Sequence, residues 1–194
     1  MKIALAQAPL LDAGESVQVC LLCDEVVLDA WLQSLAAERG EDLDDERVVV
    51  ALTQEIYRDY LKGSGRPPPA PEGAALFEIR ALTYRESIRC DREASKAWEV
   101  PRVDGEPSRD QIVQAGLWVA EVEYQRLKAA LLGSSGLADA LADGPALAEA
   151  LHPERGFIYP LDKRSEIRAE LSTHIERLTE LGPLGKARFA PPSG

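Results

Sequence analysis

Residues 108–131 read SRDQIVQAGLWVAEVEYQRLKAAL, and they carry the strongest periodic signal in the chain. Ser108 is placed to cap a helix, which should end near Gly133. Between these residues, apolar side chains recur four and then three positions apart: Val113, Leu117, Ala120, Tyr124, Leu127 and Leu131. Because an α-helix turns once in about 3.6 residues, this spacing places them all on one side. The segment therefore predicts a long helix with an apolar face that something must cover.

A second series, near the C-terminus, predicts another long helix over residues 162–181. Its apolar face has the same spacing and consists of Ile167, Leu171, His174, Leu178 and Leu181. Gly182 and Pro183 follow and should stop the helix. Either the chain itself or another subunit could cover the 113–131 face. We expect the chain to cover it, because most amphipathic helices pack against their own core.

Strand signals are short, so the predicted fold is α+β and predominantly helical. Apolar and polar residues alternate near residues 3–8, 16–22 and 76–82, which predicts a small antiparallel sheet. We expect about five amphipathic helices packed with this sheet. The GSSG segment at 133–136 is predicted to be a flexible joint, and residues 137–151 to form two short helices.

Several helix starts are marked by capping residues. Asp24 is placed to cap the first helix, and Asp44 or Asp45 the second. Thr83 and Glu86 have the spacing of a capping box, which should start the helix after the strand at 76–82.

A segment rich in proline and glycine divides the chain. Residues 64–75 read SGRPPPAPEGAA, a composition typical of an extended linker. We predict an N-terminal hairpin with two helices at 1–63, a strand with a helical domain at 76–181, and a flexible tail at 182–194.

The charge balance limits the classes of partner. Of 194 residues, 33 are acidic and 22 are basic, so the net charge is −11. Nucleic acids and anionic membranes attract clustered Lys and Arg, and we expect neither as a partner. Acidic residues concentrate in residues 1–63, an asymmetry that could steer a protein partner or favour self-association.

The location predicted from the sequence is the cytoplasm. The apolar start at residues 1–6 is too short for a secretion signal, and no segment approaches the roughly 20 apolar residues of a membrane span. Three cysteines cannot all pair within the chain, which is typical of a protein kept in a reducing compartment.

The cysteines suggest a possible metal site. Cys20 and Cys23 have the CxxC spacing of a redox pair or of half a zinc site, and Cys90 with His152 or His174 could complete four ligands. Two leucines stand between the paired cysteines in an apolar segment, so we expect the cysteines to be core residues instead. We therefore predict no metal site and no cofactor.

Each histidine lies beside a glutamate. Glu149 and His152 match a Glu-x-x-His unit of di-iron helical bundles, but a second unit is missing and the match is a chance one. His174 follows Glu170 by one helical turn, so the carboxylate could raise the histidine's pKa and make the apolar face sensitive to pH. The alternative, which we favour, is an interior histidine whose polar atoms are satisfied.

The residues that we single out for protein binding are aromatic and basic. Trp98 ends a polar helix that contains Arg85, Arg89 and Arg92, and Phe189 lies in the tail. Trp and Arg are favoured in binding hot spots, so these residues are candidate interaction sites.

Residues 77–86 read FEIRALTYRE, in which a strand ends in Arg-x-Leu-Thr and leads into a capped, charged helix. Over residues 77–101 the chain resembles tail assembly chaperones and small tail-assembly proteins of bacteriophages. The resemblance implies a small, helix-rich, non-enzymatic protein that holds other tail proteins. It implies no catalytic residues, and it implies a location in the host cytoplasm or in the virion.

We therefore expect a non-catalytic assembly factor or adaptor that binds protein partners and possibly itself. One alternative is a structural subunit that is retained in the assembled particle. The other is a small zinc-binding protein that uses Cys20, Cys23, Cys90 and a histidine.

Overall fold

A computed structural model describes residues 16–61, 70–99, 105–158 and 161–180. Over these ranges the chain forms six α-helices and a small three-stranded antiparallel sheet, so the predicted α+β, predominantly helical fold is confirmed. In chain order the elements are β1 (Ser16–Val19), α1 (Glu25–Arg39), α2 (Glu46–Leu61), β2 (Leu76–Arg80), α3 (Tyr84–Ala97), α4 (Arg109–Ala130), β3 (Leu131–Ser135), a 3₁₀ turn (Asp139–Leu141), α5 (Gly144–Ala150) and α6 (Leu161–Glu180).

The chain divides into two compact units. One is Cys20–Leu76, and the other combines Met1–Val19 with Phe77–Gly194. The strand predicted at 3–8 and the predicted tail at 182–194 lie outside the described residues, as do residues 64–69 of the predicted linker.

The unit of residues 20–76 is a pair of helices around a small apolar core. Asp24 caps α1 by accepting a hydrogen bond from Val26 N–H at 3.0 Å, and α1 ends at Gly40, whose φ of 67° lies in the left-handed region that favours glycine. Between α1 and α2 the core residues are Leu22, Leu32, Ala36, Leu52 and Ile56. Arg39 of α1 and Glu55 of α2 form an ion pair at 2.5 Å beside this core.

In the other unit, β2 is the central strand of the sheet. It pairs antiparallel with β1, so that Val17 lies opposite Ile79 and Val19 opposite Phe77. Successive side chains of a strand point to opposite faces, so the apolar residues that alternate along β2 share one face. Phe77 and Ile79 are both buried, so this face lies against the core.

The third strand corrects the prediction of a flexible joint at 133–136. The long helix ends at Ala130, and residues 131–135 continue as β3. Two hydrogen bonds hold the strand to the 3₁₀ turn: Ser134 N–H donates to Ala142 O at 2.9 Å, and Ser134 Oγ donates to Leu141 O at 2.7 Å. A Cβ on Gly133 would lie 2.9 Å from Ala142 O, so the glycine allows two backbones to approach closely.

Two long helices, α3 and α6, and the short helix α5 pack against α4 in this unit. At one end Trp118 Nε1 of α4 donates to Ser95 Oγ of α3 at 3.2 Å, and at the other Arg80, just before α3, donates to Ala129 O at 2.6 Å, so α3 and α4 run antiparallel. Helix α6 runs parallel to α4, since Glu123 pairs with Arg168 and, further along both helices, Arg126 pairs with Glu176. None of the helices in the described ranges has the length and hydrophobicity that crossing a membrane requires.

Candidate functional site

The arginines singled out from the sequence share one face of α3. Arg85, Arg89 and Arg92 are all exposed, and none of them forms an ion pair or hydrogen bond with the described residues. Trp98 is half-buried at the end of α3, where its N–H bonds to Ala94 O. Phe189 lies outside the described residues. The structure therefore places the three arginines together as a basic stripe, with Trp98 at its C-terminal end.

The junction between β2 and α3 explains the FEIRALTYRE pattern in structural terms. Both guanidinium nitrogens of Arg80 donate to the Glu86 carboxylate, at 2.8 and 3.1 Å, and Glu86 completes the capping box with Thr83. This arginine, together with hydrogen bonds from Thr83, lowers the pKa of Glu86 to about 2. The arginine and the capping box thus fix the angle at which the strand enters the helix.

The ligands of the zinc alternative come from both units, with Cys20 and Cys23 in one and Cys90 in the other. Within the parts of the chain that the structure describes, no three His, Cys, Asp or Glu side chains lie close enough to hold a metal ion. Cys90 is buried in α3, and burial raises the pKa of its thiol, the opposite of what a thiolate ligand requires. Cys20 and Cys23 are half-buried before α1.

The richest cluster of polar side chains surrounds Tyr124 of α4. Its hydroxyl donates to the Glu149 carboxylate of α5, and its ring meets the His152 ring edge-on, with 4.5 Å between centroids. Burial, and then this carboxylate, raise the pKa of Tyr124. His152 Nδ1 accepts the backbone N–H groups of Glu154 and Arg155, both at 3.1 Å, which places the ring proton on Nε2. Burial lowers the pKa of His152, so it stays neutral near pH 7.

The cluster around Tyr124 therefore holds α5 and the turn after it against α4. The tyrosine hydroxyl and the histidine Nδ1 are each engaged by a neighbour, and these contacts restrain both side chains. This arrangement supports a structural role for the Glu-x-x-His pair, whose match to a di-iron unit we interpreted as chance.

Two buried arginines of α6 bind the turn that follows α5. Arg164 donates to Gly156 O and, at 2.8 Å, to Pro153 O; Arg168 donates to Leu151 O at 3.3 Å. These carbonyls lie just beyond the C-terminal end of α5, where a positive charge is favourable. The turn is thus held in a single arrangement just before the start of α6, and Phe157 at its end is 70% exposed.

The apolar face predicted on α4 is covered along only half of its length. Tyr124, Leu127 and Leu131 are buried as expected, and Leu127 has no exposed surface at all. Val113, at the other end of the same series, is 54% exposed. Our prediction that the chain itself covers this face is correct for the C-terminal half. In the N-terminal half Leu117 and Ala120 are half-buried, and the described residues leave Val113 uncovered.

The uncovered half of α4 borders a groove with α6. The groove has a volume of about 470 Å³, and small residues line much of it: Gly116 and Ala120 from α4, Ser165 and Ala169 from α6. Ile112, Val113 and Val119 are exposed on α4, and Leu161 is exposed on α6 one turn before Ser165. We call this groove and these four apolar side chains the α4–α6 face.

The polar side of the α4–α6 face is formed by a buried ion pair. Arg168 Nε donates to Glu123 Oε2 at 3.0 Å, with only 7% of the Arg168 side chain and 17% of the Glu123 side chain exposed. Burial nonetheless raises the pKa of Glu123 because it outweighs the attraction of Arg168. Arg126 also opposes this shift, but the two arginines together do not cancel the effect of burial.

Our sequence analysis left open that another subunit covers the 113–131 face, but it did not single out the groove between α4 and α6. Two signals in the sequence could have revealed it. Beside the Val113 series lies a second stripe of apolar or small residues, formed by Ile112, Gly116 and Val119. The apolar surface of the N-terminal half of α4 is therefore wider than one neighbouring helix can cover. Gly116 is also an unusual residue in the middle of a helix, where it costs roughly 1 kcal/mol relative to alanine.

The histidine of the second series does not have the raised pKa that Glu170 could have caused. Burial lowers the pKa of His174, and it outweighs the opposing effect of Glu170. The favoured interpretation, an interior histidine that stays neutral, agrees with this direction.

Comparisons with protein-family models, with curated proteins and with solved structures find no match to this chain.

Proposed function

We propose that this chain is a non-catalytic assembly factor or adaptor that binds a protein partner through the α4–α6 face. The observation that supports this proposal is the set of exposed apolar side chains, Ile112, Val113, Val119 and Leu161, beside an open groove. Contiguous apolar surface of this kind is typical of interaction sites, whereas single exposed apolar residues are not.

The shape of the groove fits a helix. Two parallel helices leave a channel between them, and the small residues Gly116, Ala120 and Ala169 let a third backbone approach closely. The partner that fits best is an amphipathic helix with apolar residues at helical spacing and a basic residue near Glu123. Arg164 and Arg168 of α6 hold the turn after α5 in place before any partner binds. Little conformational entropy of this chain is therefore lost when such a helix binds.

The arrangement of the polar groups agrees with a non-catalytic role. Tyr124, Glu149 and His152 are engaged with one another or with the backbone, and the groove lies on the side of α4 that faces α6. The resemblance of residues 77–101 to small tail-assembly proteins makes assembly of a phage or phage-like tail the setting that we propose, in the host cytoplasm or in the particle.

The test is affinity capture with matched variants. Wild-type protein and the variants Ile112→Glu and Tyr84→Glu would be immobilised, and proteins captured from the source cells would be identified by mass spectrometry. Tyr84 is 64% exposed on α3, away from the α4–α6 face, so its variant controls for loss of an exposed apolar residue. We expect Ile112→Glu to lose specific proteins that Tyr84→Glu retains. Identical sets from all three proteins would contradict the proposal.

A further inference from the structure

No contact within the described part of the chain requires a glycine at position 116. It lies in the middle of α4, is exposed, and a Cβ built on it meets no atom within 4 Å. Alanine would therefore fit and would stabilise the helix. A close approach by another backbone would explain a glycine at such a position.

We propose that two copies of this chain form a symmetric dimer, in which α4 of one copy crosses α4 of the second copy antiparallel at Gly116 and fills its α4–α6 groove. The inference rests on the proposed function, because it names a second copy of the chain as a partner of the same face. A two-fold axis through Gly116 pairs each residue with the one at the same distance on the other side of the glycine.

The side chains on either side of Gly116 complement each other in size. The axis places Ile112 of one copy opposite Ala120 of the other, and Val113 opposite Val119. Ile112 is 58% exposed and projects from α4, while Ala120 and Ala169 line the groove. A large side chain therefore meets a small one twice in each dimer, and two glycines meet at the centre. This is the interdigitation that helix packing requires.

The charges complement each other as well. The same axis places Arg109 of one copy opposite Glu123 of the other. Arg109 is exposed in the first turn of α4 and forms no ion pair with the described residues. Glu123 is mostly buried, and its two neighbouring cations, Arg168 and Arg126, do not fully compensate for that burial. Two intermolecular Arg109–Glu123 pairs would fill this need.

The chain's own α4 has the chemistry that the groove selects. It combines the apolar stripe of Ile112, Gly116 and Val119 with a basic residue, Arg109, seven positions before Gly116. Glu123 lies seven positions after Gly116, so the two-fold axis brings the two charges together. A foreign helix would need the same pattern, and the tail beyond residue 181 has no such helical stripe in its sequence, LGPLGKARFAPPSG. These features favour a second copy as the occupant.

The first experiment measures mass by light scattering at concentrations up to about 0.5 mM, which covers weak symmetric interfaces. We expect wild-type protein to approach twice the 21.2 kDa of one chain. Arg109→Glu should weaken association by at least about tenfold through like charges at Glu123, and Arg109→Lys should largely preserve it. A glutamate in the first turn of a helix is favourable, so Arg109→Glu should fold. Tyr84→Glu, outside the face, should behave as wild type.

The second experiment tests the register of the crossing. Val113→Cys and Val119→Cys proteins, each with Cys20 and Cys23 replaced by serine, would be mixed under mild oxidation. The antiparallel crossing predicts that the Val113→Cys chain links to the Val119→Cys chain more efficiently than either links to itself. Preferential linkage of Val113→Cys to itself would overturn the proposed register, because it requires either parallel helices or an antiparallel crossing centred on Val113 instead of Gly116.

Failure of the dimer and failure of the proposed function give different results. A wild-type protein that stays monomeric up to the highest concentration overturns the dimer, and the proposed function then stands if Ile112→Glu still loses captured proteins. Deletion of residues 182–194 tests the tail as the occupant of the groove. If the protein is a monomer and this deletion increases amide exchange at 112–120, the dimer is overturned and the tail is identified as the occupant. Capture that Ile112→Glu leaves unchanged overturns the proposed function itself.

Discussion

At the scale of single residues, two glycines of the helical unit have opposite environments. Gly156 lies in the turn after α5, where a Cβ would overlap the backbone oxygens of Ala150 and His152. Gly116 lies in an exposed turn of α4, where a Cβ would meet nothing. The first glycine is required by the packing of the chain, and the second is not.

Replacing each glycine by alanine should therefore change stability in opposite directions. Gly156→Ala should lower the free energy of unfolding by about 1–3 kcal/mol, because two backbone segments must move apart. Gly116→Ala should raise it by roughly 0.5–1 kcal/mol, because alanine is the better helix former. Urea titrations at low protein concentration, where self-association is absent, measure both changes. Equal effects of the two substitutions would contradict this account.

His174 is one of two histidines whose protonation links the fold to pH. Burial lowers its pKa from the ordinary value of 6.5, so the native state binds fewer protons than the unfolded state just below that pH. Its contribution to stability is therefore complete above about pH 6.5 and is lost as the pH falls.

His174→Leu tests the direction of this shift. The difference in free energy of unfolding between wild type and variant should move against the wild type as the pH is lowered from about 7.5 to about 5. His152 is present in both proteins, so its own lowered pKa cancels in the comparison. A difference that moves in favour of the wild type would mean that Glu170 raises the histidine's pKa after all.

At the scale of secondary-structure elements, the turn after α5 is held by side chains as well as by two backbone hydrogen bonds, from Gly156 N–H to His152 O at 3.0 Å and from Ile158 N–H to Ala150 O at 3.4 Å. Arg164 binds the carbonyls of Pro153 and Gly156, and His152 accepts two backbone N–H groups from inside the turn. The buried side chains satisfy backbone groups of the turn that its two backbone hydrogen bonds leave unpaired, so the turn should loosen when they are removed.

Arg164→Met should loosen this turn. It leaves the two carbonyls without their donor, and we expect a loss of about 2–3 kcal/mol in the free energy of unfolding. Arg155→Met is the matched control, because Arg155 is exposed and lies 3.9 Å from Glu149, a contact worth about 0.5 kcal/mol or less. Hydrogen exchange should speed up at residues 151–158 in the first variant alone. Unchanged exchange there in Arg164→Met would show that the arginine does not hold the turn.

Helix starts in this chain could be predicted from sequence because their determinants are local. Asp24, Thr83 and Ser108 each accept the backbone N–H that a cap requires, at the positions expected from the residue type alone. Asp45 likewise accepts the N–H of Arg47 at the start of α2. A cap involves residues no more than a few positions apart, so a single sequence contains all the information.

The third strand and the α4–α6 face could not be predicted in the same way. GSSG at 133–136 is typical of a flexible joint, but its glycine serves a close approach to Ala142, a contact that only the fold reveals. Likewise, the period of the 113–131 series is the same along its length, and nothing in it tells which half finds a neighbour. Both depend on contacts between segments that are distant in sequence.

At the scale of the whole molecule, α4 has two halves with different surroundings. Its C-terminal half is enclosed by α3, α5 and α6, with Leu127 and Ala130 fully buried. Its N-terminal half has one side facing the groove and exposed apolar residues at its first turns. Since local stability follows local burial, the helix should open from its N-terminal end.

Hydrogen exchange along α4 should therefore show a gradient that depends on concentration. In dilute protein, amides at 112–120 should exchange faster than those at 124–130, because the second group is held by the core. If a second copy covers the α4–α6 face, raising the concentration should slow exchange at 112–120 while leaving α3 residues 84–97 unchanged, and Ile112→Glu should abolish this slowing. The gradient tests the burial pattern, and the concentration dependence tests the dimer. A gradient that is the same at every concentration supports the first and contradicts the second, and uniform protection along the whole helix contradicts both.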